Sequence, residues 1–190
     1  KGKSLLSIIA DLKLKFRPVA AVVNGAPMDL AAPLLDDATV SFIDPASKEG
    51  LDIYRHSTSH IMAQAVKELY PNVKITIGPS IEDGFYYDFD YDGTFSSDDL
   101  SNIEKRMEEI IGRNSPFKRK ELPKQEAIKL FKDLREDYKI ELINEIPDAT
   151  VSIYQQGDYV DLCRGPHLPS TGAVKAFKLL NTAGAYWRGD

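Results

Sequence analysis

The stretch LDIYRHSTSHIMAQAVKEL, residues 51–69, carries the longest helical pattern in the chain. The pattern ends at Tyr70-Pro71, because the residue before a proline is disfavoured in the α region. His56 and His60 are four positions apart within it, so both side chains project from one face about one turn apart. Different kinds of element precede and follow this helix, and together they indicate the fold class.

The residues before this stretch predict only a small unit. Its elements are a helix over residues 3–16, strands over 20–23 and 39–43, and a loop over 27–33. Asn24-Gly25 is the turn signal of a β-hairpin. So short a segment holds little core alone, and residues 44–50 have the composition of a linker. We therefore predict two domains, residues 1–46 and 47–190.

The residues after this stretch predict a mixture of helices and hairpins. Strands are expected over 73–77, 117–122, 151–154, 159–162, 176–180 and 185–187, an aromatic strand-and-turn segment over 84–95, and helices over 97–113 and 123–135. Residues 138–146 fit a helix through the spacing of their isoleucines and a strand through their composition, so both assignments stay open. The mixed order of elements favours an α+β fold over a doubly wound sheet.

Composition narrows the classes of protein. The chain has 190 residues, 43% hydrophobic and 28% charged, which is typical of a globular protein. It contains no apolar run of about 20 residues, as a membrane span requires, and its first residues lack the pattern of a signal peptide. One cysteine excludes an intrachain disulfide and favours the cytoplasm. A formal net charge of −5 argues against a generally basic nucleic-acid surface, but leaves room for a local basic path.

All the cysteine and histidine of the chain lies in two short segments. One is the helical His56 and His60; the other is DLCRGPH, residues 161–167, with Cys163 and His167. Gly165-Pro166 prevents a helix in the second segment, so this pair is expected on a loop at the end of a strand, where functional groups are often displayed. Asp161 should share the side of Cys163, because alternate residues of a strand face one way.

The residue types leave two kinds of site open. Singly, a helical histidine is commonly a surface residue and a lone cysteine a small buried residue. Together, His56, His60, Cys163 and His167 would offer the nitrogen and sulfur ligands that tetrahedral zinc favours. The same groups could instead bind a polar substrate and position water without a metal. A metalloprotease of the HExxH class is excluded, because Ser57-Thr58-Ser59 lies between the first two histidines.

Several long motifs resemble one family. RHSTSH, IGPSIEDGFYYDFD, YVDLCRGPHLPSTG and KLLNTAGAYWRGD are similar to the N-terminal editing region of bacterial threonyl-tRNA synthetases. LAAPLLDDATVSFI and the VNG hairpin resemble the preceding TGS domain, a ubiquitin-like β-grasp. The resemblance implies a partial TGS domain over residues 1–46, without its first hairpin, followed by the α+β editing domain that threonyl- and alanyl-tRNA synthetases share. It also implies that the aminoacylation and anticodon-binding domains lie beyond residue 190.

The family's editing pocket implies roles for particular residues. The resemblance assigns the hydrolysis of seryl esters to His56, His60, Lys139, Cys163 and His167, and substrate binding to Asp161, with Tyr87 or Tyr86 as a pocket wall. Lys139 and one histidine, His56 above all, are expected to hold or activate water, and Asp161 to bind the seryl ammonium. His60, Cys163 and His167 are expected to shape the pocket and to hydrogen-bond the serine hydroxyl or the terminal adenosine. Cys163 is expected to line the pocket rather than to act as a nucleophile.

The resemblance also implies cofactors and partners. The editing site is expected to work without a metal, with Lys139 supplying positive charge, whereas the full-length enzyme uses ATP, Mg and a zinc in its aminoacylation domain. The partner is the 3′ end of tRNA(Thr) carrying serine, without a membrane. We expect a homodimer for the full-length enzyme and a monomer for this fragment.

Two other functions remain alternatives. The chain could be an RNA-binding or regulatory module fused to another enzyme such as a nucleoside kinase, or a zinc-dependent aminoacyl ester hydrolase. For RNA contacts, a patch of five basic residues is the candidate for binding phosphates, although an ordinary exposed strand explains it equally: Arg113, Lys118, Arg119, Lys120 and Lys124. Tyr186 and Trp187 are expected to pack rather than to stack on bases.

Overall fold

A computed structural model describes residues 2–184 of the chain. The predicted strand over 185–187 and the packing of Tyr186 and Trp187 lie outside the described residues. Within residues 2–184, no helix is both long enough and apolar enough to cross a membrane.

The N-terminal unit is a three-stranded antiparallel sheet with one short helix. Its elements are α1 (Leu5–Ile9), β1 (Ala20–Val23), β2 (Ala26–Met28) and β3 (Val40–Ile43), with the strand order β2-β1-β3. Asn24 and Gly25 have φ values of 49° and 85°, as the predicted two-residue hairpin turn requires. That turn places β2 at residues that the sequence had assigned partly to a loop.

The helix predicted over residues 3–16 is wrong in its length, because α1 ends at Ile9. The amides of Asp11 and Leu12 bond three residues back, to Ile8 and Ile9, so the last turn tightens instead of continuing. Leu12 is 44% exposed. A helix that continued through this residue would therefore gain little from packing its apolar side chain.

Helix α2 (Lys48–Leu69) is the central element of the larger part. It begins inside the segment predicted as a linker, because the Ser47 hydroxyl accepts a hydrogen bond from the amide of Gly50 and caps the helix. The segment over residues 44–50, which was predicted as a linker between domains, therefore also contains the start of α2.

The remaining elements follow the predicted order closely. They are β4 (Lys74–Ile75), β5 (Ser80–Ile81), β6 (Gly84–Phe85), β7 (Phe89–Asp90), α3 (Ser97–Arg113), β8 (Lys118–Pro123), α4 (Lys124–Asp133), α5 (Asp137–Glu145), β9 (Thr150–Gln156), β10 (Tyr159–Leu162) and a 3-10 turn (Thr171–Ala173). The open question over residues 138–146 is resolved in favour of the helix, because Ile143 packs in a core with α4 and β9. The α+β fold class is confirmed.

The strand predicted over residues 176–180 is wrong. Within the described residues, this segment forms no sheet pairing and its backbone bonds to side chains instead. The Tyr54 hydroxyl donates to the carbonyl of Ala176 and accepts from the amides of Lys175 and Ala176, and Glu104 accepts from the amide of Leu179. Side-chain partners thus take the place of the strand pairing that was predicted here.

The antiparallel sheet β10-β9-β8 separates two cores. One face of the sheet packs on α4 and α5 through Val151 and Ile153. From the other face, Tyr154 and Tyr159 point into the core that includes α2 and α3. The N-terminal sheet joins this second core through Val19, among others. The β-grasp identity of the N-terminal unit and the domain boundary at residue 46 stay predictions.

Candidate active site

The two histidine-containing segments meet in space. His56 and His60 project from α2 toward the loop that follows β10, where Cys163 and His167 lie. Sγ of Cys163 lies 3.6 Å from Nε2 of His56 and 3.2 Å from Nε2 of His167. The centroids of the three imidazole rings are between 4.3 and 4.9 Å apart. The sequence prediction that these four residues form one cluster agrees with this geometry.

His167 is held on every side. Its Nδ1 is 3.0 Å from Oγ of Ser57, which also accepts a hydrogen bond from the amide of Leu168 at 2.9 Å. The ring stacks on Phe117 at a centroid distance of 4.9 Å and meets Tyr154 edge-on at 4.5 Å. Because both ring nitrogens have partners and two aromatic rings pack against the imidazole, His167 is a fixed wall of the site.

Lys139 and Asp161 form a buried ion pair beside the cluster. Nζ of Lys139 lies 2.6 Å from Oδ1 of Asp161 and donates to the carbonyl of Thr76 at 2.5 Å and to the hydroxyl of Tyr87 at 3.0 Å. Three acceptors therefore use the three N–H groups of this ammonium. The other carboxylate oxygen, Oδ2 of Asp161, accepts from the hydroxyls of Tyr87 at 2.7 Å and Tyr159 at 3.0 Å.

The ion pair is linked to the histidine cluster through His60. Nδ1 of His60 lies 3.5 Å from Oδ2 of Asp161, and no hydrogen bond to that nitrogen is formed among residues 2–184. The helix α5, which the sequence left undecided, is the element that brings Lys139 to this position. All six predicted residues of the pocket are thus in one continuous group of contacts.

Of the two tyrosines proposed as a pocket wall, Tyr87 is the one that contacts this group. Its ring is buried, and its hydroxyl bonds to Asp161. The side chain of Tyr86 is 40% exposed, and it takes part in none of the hydrogen bonds of the site in the described part of the chain. Successive residues of an extended segment face opposite ways, which separates these two neighbours.

Burial sets the protonation states in the cluster. Removal from water lowers the pKa of His56, and lowers those of His60 and His167 well below their usual range; the neighbouring histidines lower the last two further. Burial raises the pKa of the Cys163 thiol to about 12. At neutral pH the site therefore holds three neutral imidazoles and a neutral thiol. His56 differs from the other two histidines because it is only half-buried and so is open to water.

The cluster also fits the chemistry of a zinc site. The ligand atoms of His56, His60, Cys163 and His167 all lie within 4.8 Å of one another. Tetrahedral zinc with nitrogen and sulfur ligands places those atoms about 3.3–3.7 Å apart, and the two sulfur–nitrogen distances of 3.2 and 3.6 Å are close to that range. If all four residues bound one ion, the coordination would be closed and no position would remain for water.

Sequence reasoning missed three residues that support the site. Ser57 lies next to His56 in the helix, and Tyr159 precedes Asp161 by two positions in β10, so it faces the same side of the strand. The period of two could have identified Tyr159. Thr76 contributes a backbone carbonyl, which leaves no signal in the side-chain pattern.

The basic patch is less available than its sequence suggests. Arg113 pairs with Glu68 at 2.7 Å, Arg119 pairs with Glu121 at 2.9 Å, and Lys124 donates to the carbonyls at the end of α5. Lys118 and Lys120 are exposed on β8, which is an edge strand. These two lysines are the best remaining positions for phosphate contacts.

A cavity of about 710 Å³ lies beside the cluster rather than within it. Cys163, Arg164 and Arg119 line it together with the end of α5, but the three histidines, Lys139 and Asp161 do not. Its volume therefore gives no measure of the space at the histidines.

Comparisons with known proteins identify relatives of this chain. The profile described as "Threonyl and Alanyl tRNA synthetase second additional domain" matches residues 151–190. The chain is 53% identical over 190 residues to the threonine–tRNA ligase of Pelobacter propionicus, with 97% of the chain and 30% of that protein covered. It is 54% identical over 178 residues to the corresponding ligase of Nitratidesulfovibrio vulgaris, with 93% and 28% covered. The ligase of a Geobacillus species is 49% identical over 193 residues, with 100% and 30% covered. The chain thus spans about 30% of the length of the curated relatives it matches.

Proposed function

The chain corresponds to the editing region of bacterial threonyl-tRNA synthetases, and from that premise we propose that it hydrolyses the seryl ester of mischarged Ser-tRNA(Thr). The observation that carries the proposal is the cluster of three neutral histidines beside the buried Lys139–Asp161 pair. For the whole protein we propose the attachment of threonine to tRNA(Thr) with ATP, in the cytoplasm, by domains outside this chain.

A ligase for threonine needs such a step because serine has the same hydroxyl and only one methyl group less. That difference changes binding by about 1–3 kcal/mol, or roughly 10–200-fold, which is too little for accurate translation. A second site that admits serine and excludes the methyl group of threonine sterically would supply the missing discrimination.

His56 is the proposed general base. It is neutral because burial lowers its pKa, and of the three histidines it is the one that solvent can reach. It would accept a proton from water as the water oxygen attacks the ester carbonyl. The bond to the ribose 3′ oxygen then breaks, and that oxygen takes up a proton, so that free serine and tRNA leave.

Lys139 and Asp161 are proposed to bind the charged end of serine. The Lys139 ammonium already occupies a cradle of three oxygen acceptors, which is the environment that a substrate ammonium requires. The seryl ammonium would share or take the carboxylate of Asp161. Lys139 would then turn its positive charge toward the ester oxygens, where negative charge develops during hydrolysis.

His60, Cys163 and His167 are proposed as walls of the pocket. The partners of His167 hold it rigid, and a rigid wall is what exclusion of one methyl group requires. Neutral imidazole nitrogens and a neutral thiol can also hydrogen-bond a serine hydroxyl or an adenosine.

The proposal is tested with two substrates. Ser-tRNA(Thr) and Thr-tRNA(Thr) are incubated separately with the protein, and the release of each labelled amino acid is measured. We expect serine to be released faster than threonine by about tenfold or more, and His56→Ala to abolish the difference. Failure to release serine, or equal release of both amino acids, would refute the proposed editing activity.

A zinc-dependent ester hydrolase is the second candidate, because the four ligand atoms fit a metal. The ligands would come from His56, His60, Cys163 and His167; only an ion held by three of them would keep a position open for water and could supply a Lewis acid at the pocket. The two candidates are separated by metal analysis of the purified protein together with activity after chelation. One equivalent of zinc whose removal abolishes serine release would favour the zinc enzyme. Full activity in metal-free protein would favour His56.

A further inference from the structure

Asp29 connects the N-terminal sheet to the active-site loop. It follows β2 directly, and its carboxylate lies against the segment that carries His167. Oδ1 accepts a hydrogen bond from the amide of His167 at 2.9 Å, and Oδ2 accepts from the hydroxyl of Tyr154 at 2.6 Å. One side chain thus bonds both to the backbone of a pocket residue and to the tyrosine that covers that residue.

The amide of His167 depends on a partner outside its own loop, Cys163 to His167. This loop belongs to no helix or strand, so the buried amide of His167 has no ladder partner, and Asp29 supplies the acceptor. A buried amide that loses its acceptor is destabilised, because it no longer has the hydrogen bond that water would provide. Without Asp29, a loop conformation that exposes this amide to water would become more favourable.

Tyr154 transmits the same restraint to the side chain. It is fully buried, and the edge of its ring meets the imidazole of His167. Its hydroxyl also lies against Gly165, where even a Cβ atom would overlap it. The position of the Tyr154 hydroxyl therefore defines the path of the loop between Cys163 and His167.

Asp29 can act in this way because its own position is fixed. The next residue, Leu30, is buried in the small core of the N-terminal unit, and the carbonyl of Asp29 accepts from the amide of Ala32 at 3.0 Å. The sheet itself packs against the larger core through Val19 and Ala20. The carboxylate is thus presented by a packed element rather than by a free loop.

We propose that Asp29 is a positioning residue through which the N-terminal sheet holds Cys163 and His167 in the geometry of the active site. The residue contacts no group that reacts with the substrate in the proposed function; it acts through the loop. The N-terminal unit then completes the pocket instead of being an independent appendage.

The single cysteine of the chain provides a test that does not depend on the proposed activity. Cys163 is the only thiol, so alkylation by iodoacetamide takes place in this loop alone. Because the charge of Asp29 also raises the pKa of Cys163, Asp29→Asn, which removes the charge but keeps an acceptor, is compared with Asp29→Ala and should accelerate alkylation less. For Asp29→Ala we expect alkylation to accelerate by about fivefold or more, because loss of about 1 kcal/mol of restraint changes a local opening equilibrium by that factor. Tyr154→Phe, which removes one of the two hydrogen bonds, should give a smaller acceleration. Asp11→Ala, an exposed carboxylate of the same unit, should leave the rate unchanged.

Activity gives the second readout, and this arm rests on the proposed function. In Asp29→Ala we expect kcat for serine release to fall by about tenfold or more while KM for Ser-tRNA(Thr) changes less than about twofold, since the loop and not the tRNA surface is altered. Unchanged alkylation and kcat in Asp29→Ala, or equal changes in Asp11→Ala, would overturn the proposal. If wild-type protein releases no serine, the proposed function fails and the alkylation rates decide about Asp29. If Asp29→Ala does not fold, Tyr154→Phe decides on the same criteria.

Discussion

Burial gives the residues of the cluster different chemical capacities. His167 has both ring nitrogens engaged, Cys163 is a neutral thiol, and only His56 combines a neutral imidazole with access to water. A motif that lists histidines and a cysteine cannot separate these roles, because they depend on what covers each ring.

Removal of the Cys163 thiol should leave hydrolysis largely intact. With its pKa raised to about 12 by burial, the thiol is ionised to roughly one part in 10⁵ at pH 7, so it is a poor nucleophile. We expect Cys163→Ala to release serine from Ser-tRNA(Thr) at about 10% of the wild-type rate or more. A rate below about 0.1%, in a variant whose thermal unfolding matches wild type, would instead indicate a covalent role.

Removal of one partner of the Lys139–Asp161 ion pair should lower the free energy of unfolding more than removal of both partners. Lys139→Met leaves the buried carboxylate of Asp161 without a cation, which typically costs about 3–5 kcal/mol of unfolding free energy. We expect the double variant Lys139→Met/Asp161→Asn to be more stable than Lys139→Met alone, because no buried charge remains. Urea unfolding of wild type, both single variants and the double variant measures this coupling. A double variant less stable than Lys139→Met would contradict the prediction.

At the scale of elements, the loop after β10 is the most constrained segment of the site. Gly165 has a φ of 72°, a conformation that side-chain-bearing residues rarely adopt, and the Tyr154 hydroxyl fills the space where a Cβ atom would lie. The helices and strands around it fix only where this loop begins and ends. Its internal path depends on Tyr154 and Asp29, which are distant in sequence.

Two glycine substitutions test this difference. Gly165→Ala should destabilise the protein by about 2 kcal/mol or more and lower serine release, because both φ and the contact with Tyr154 are violated. Gly112→Ala, near the end of α3 and with open space around it, should be neutral or stabilising by about 0.5–1 kcal/mol. Urea unfolding measures both. Equal effects would show that the loop has no special constraint.

For the whole molecule, the buried histidines couple folding to pH. The pKa values of His60 and His167 lie well below 6.5 in the folded state, so in acid the unfolded chain binds more protons than the folded one. The contribution of these two histidines to the free energy of unfolding should therefore be constant above pH 7, and it should decrease as the pH is lowered from about 6.5. The loss approaches about 1.4 kcal/mol per pH unit for each histidine. Urea unfolding at pH 7.5, 6.5 and 5.5 measures the slope, and His60→Gln should flatten it. A stability that rises toward pH 5.5 would refute this assignment.

The surface of the whole molecule offers a second prediction. If Lys118 and Lys120 contact tRNA phosphates, the double variant Lys118→Gln/Lys120→Gln should reduce the slope of log affinity against log salt by about 0.7–0.9 per lysine. Lys129→Gln, an exposed lysine of α4, serves as the control with an unchanged slope. An unchanged slope in the double variant would mean that β8 is an ordinary exposed strand. Binding to tRNA(Thr) across a salt series gives the measurement.

Much of the architecture could be predicted because local signals agree with it. The bounds of α3 match the predicted residues 97–113, where Ser96 and Asp99 form a capping box. The two strands of the hairpin β9–β10 were predicted, and the turn between them contains Gly157, which has a positive φ. Where prediction failed, at residues 10–16 and 176–180, the outcome depended on whether a distant surface was available to pack against or to bond with.

Spacing along the chain was therefore sufficient to bring His56 and His60 to one helix face and to place Cys163 and His167 at the end of a strand, since helices and strands repeat with fixed periods. Family resemblance, rather than spacing, pointed to Lys139. The protonation of these groups, the aromatic contacts of His167 and the hydrogen bonds of Asp29 to residues far along the chain follow no local period. They arise from burial and from contacts between residues more than a hundred positions apart, which exist only after the elements have packed together.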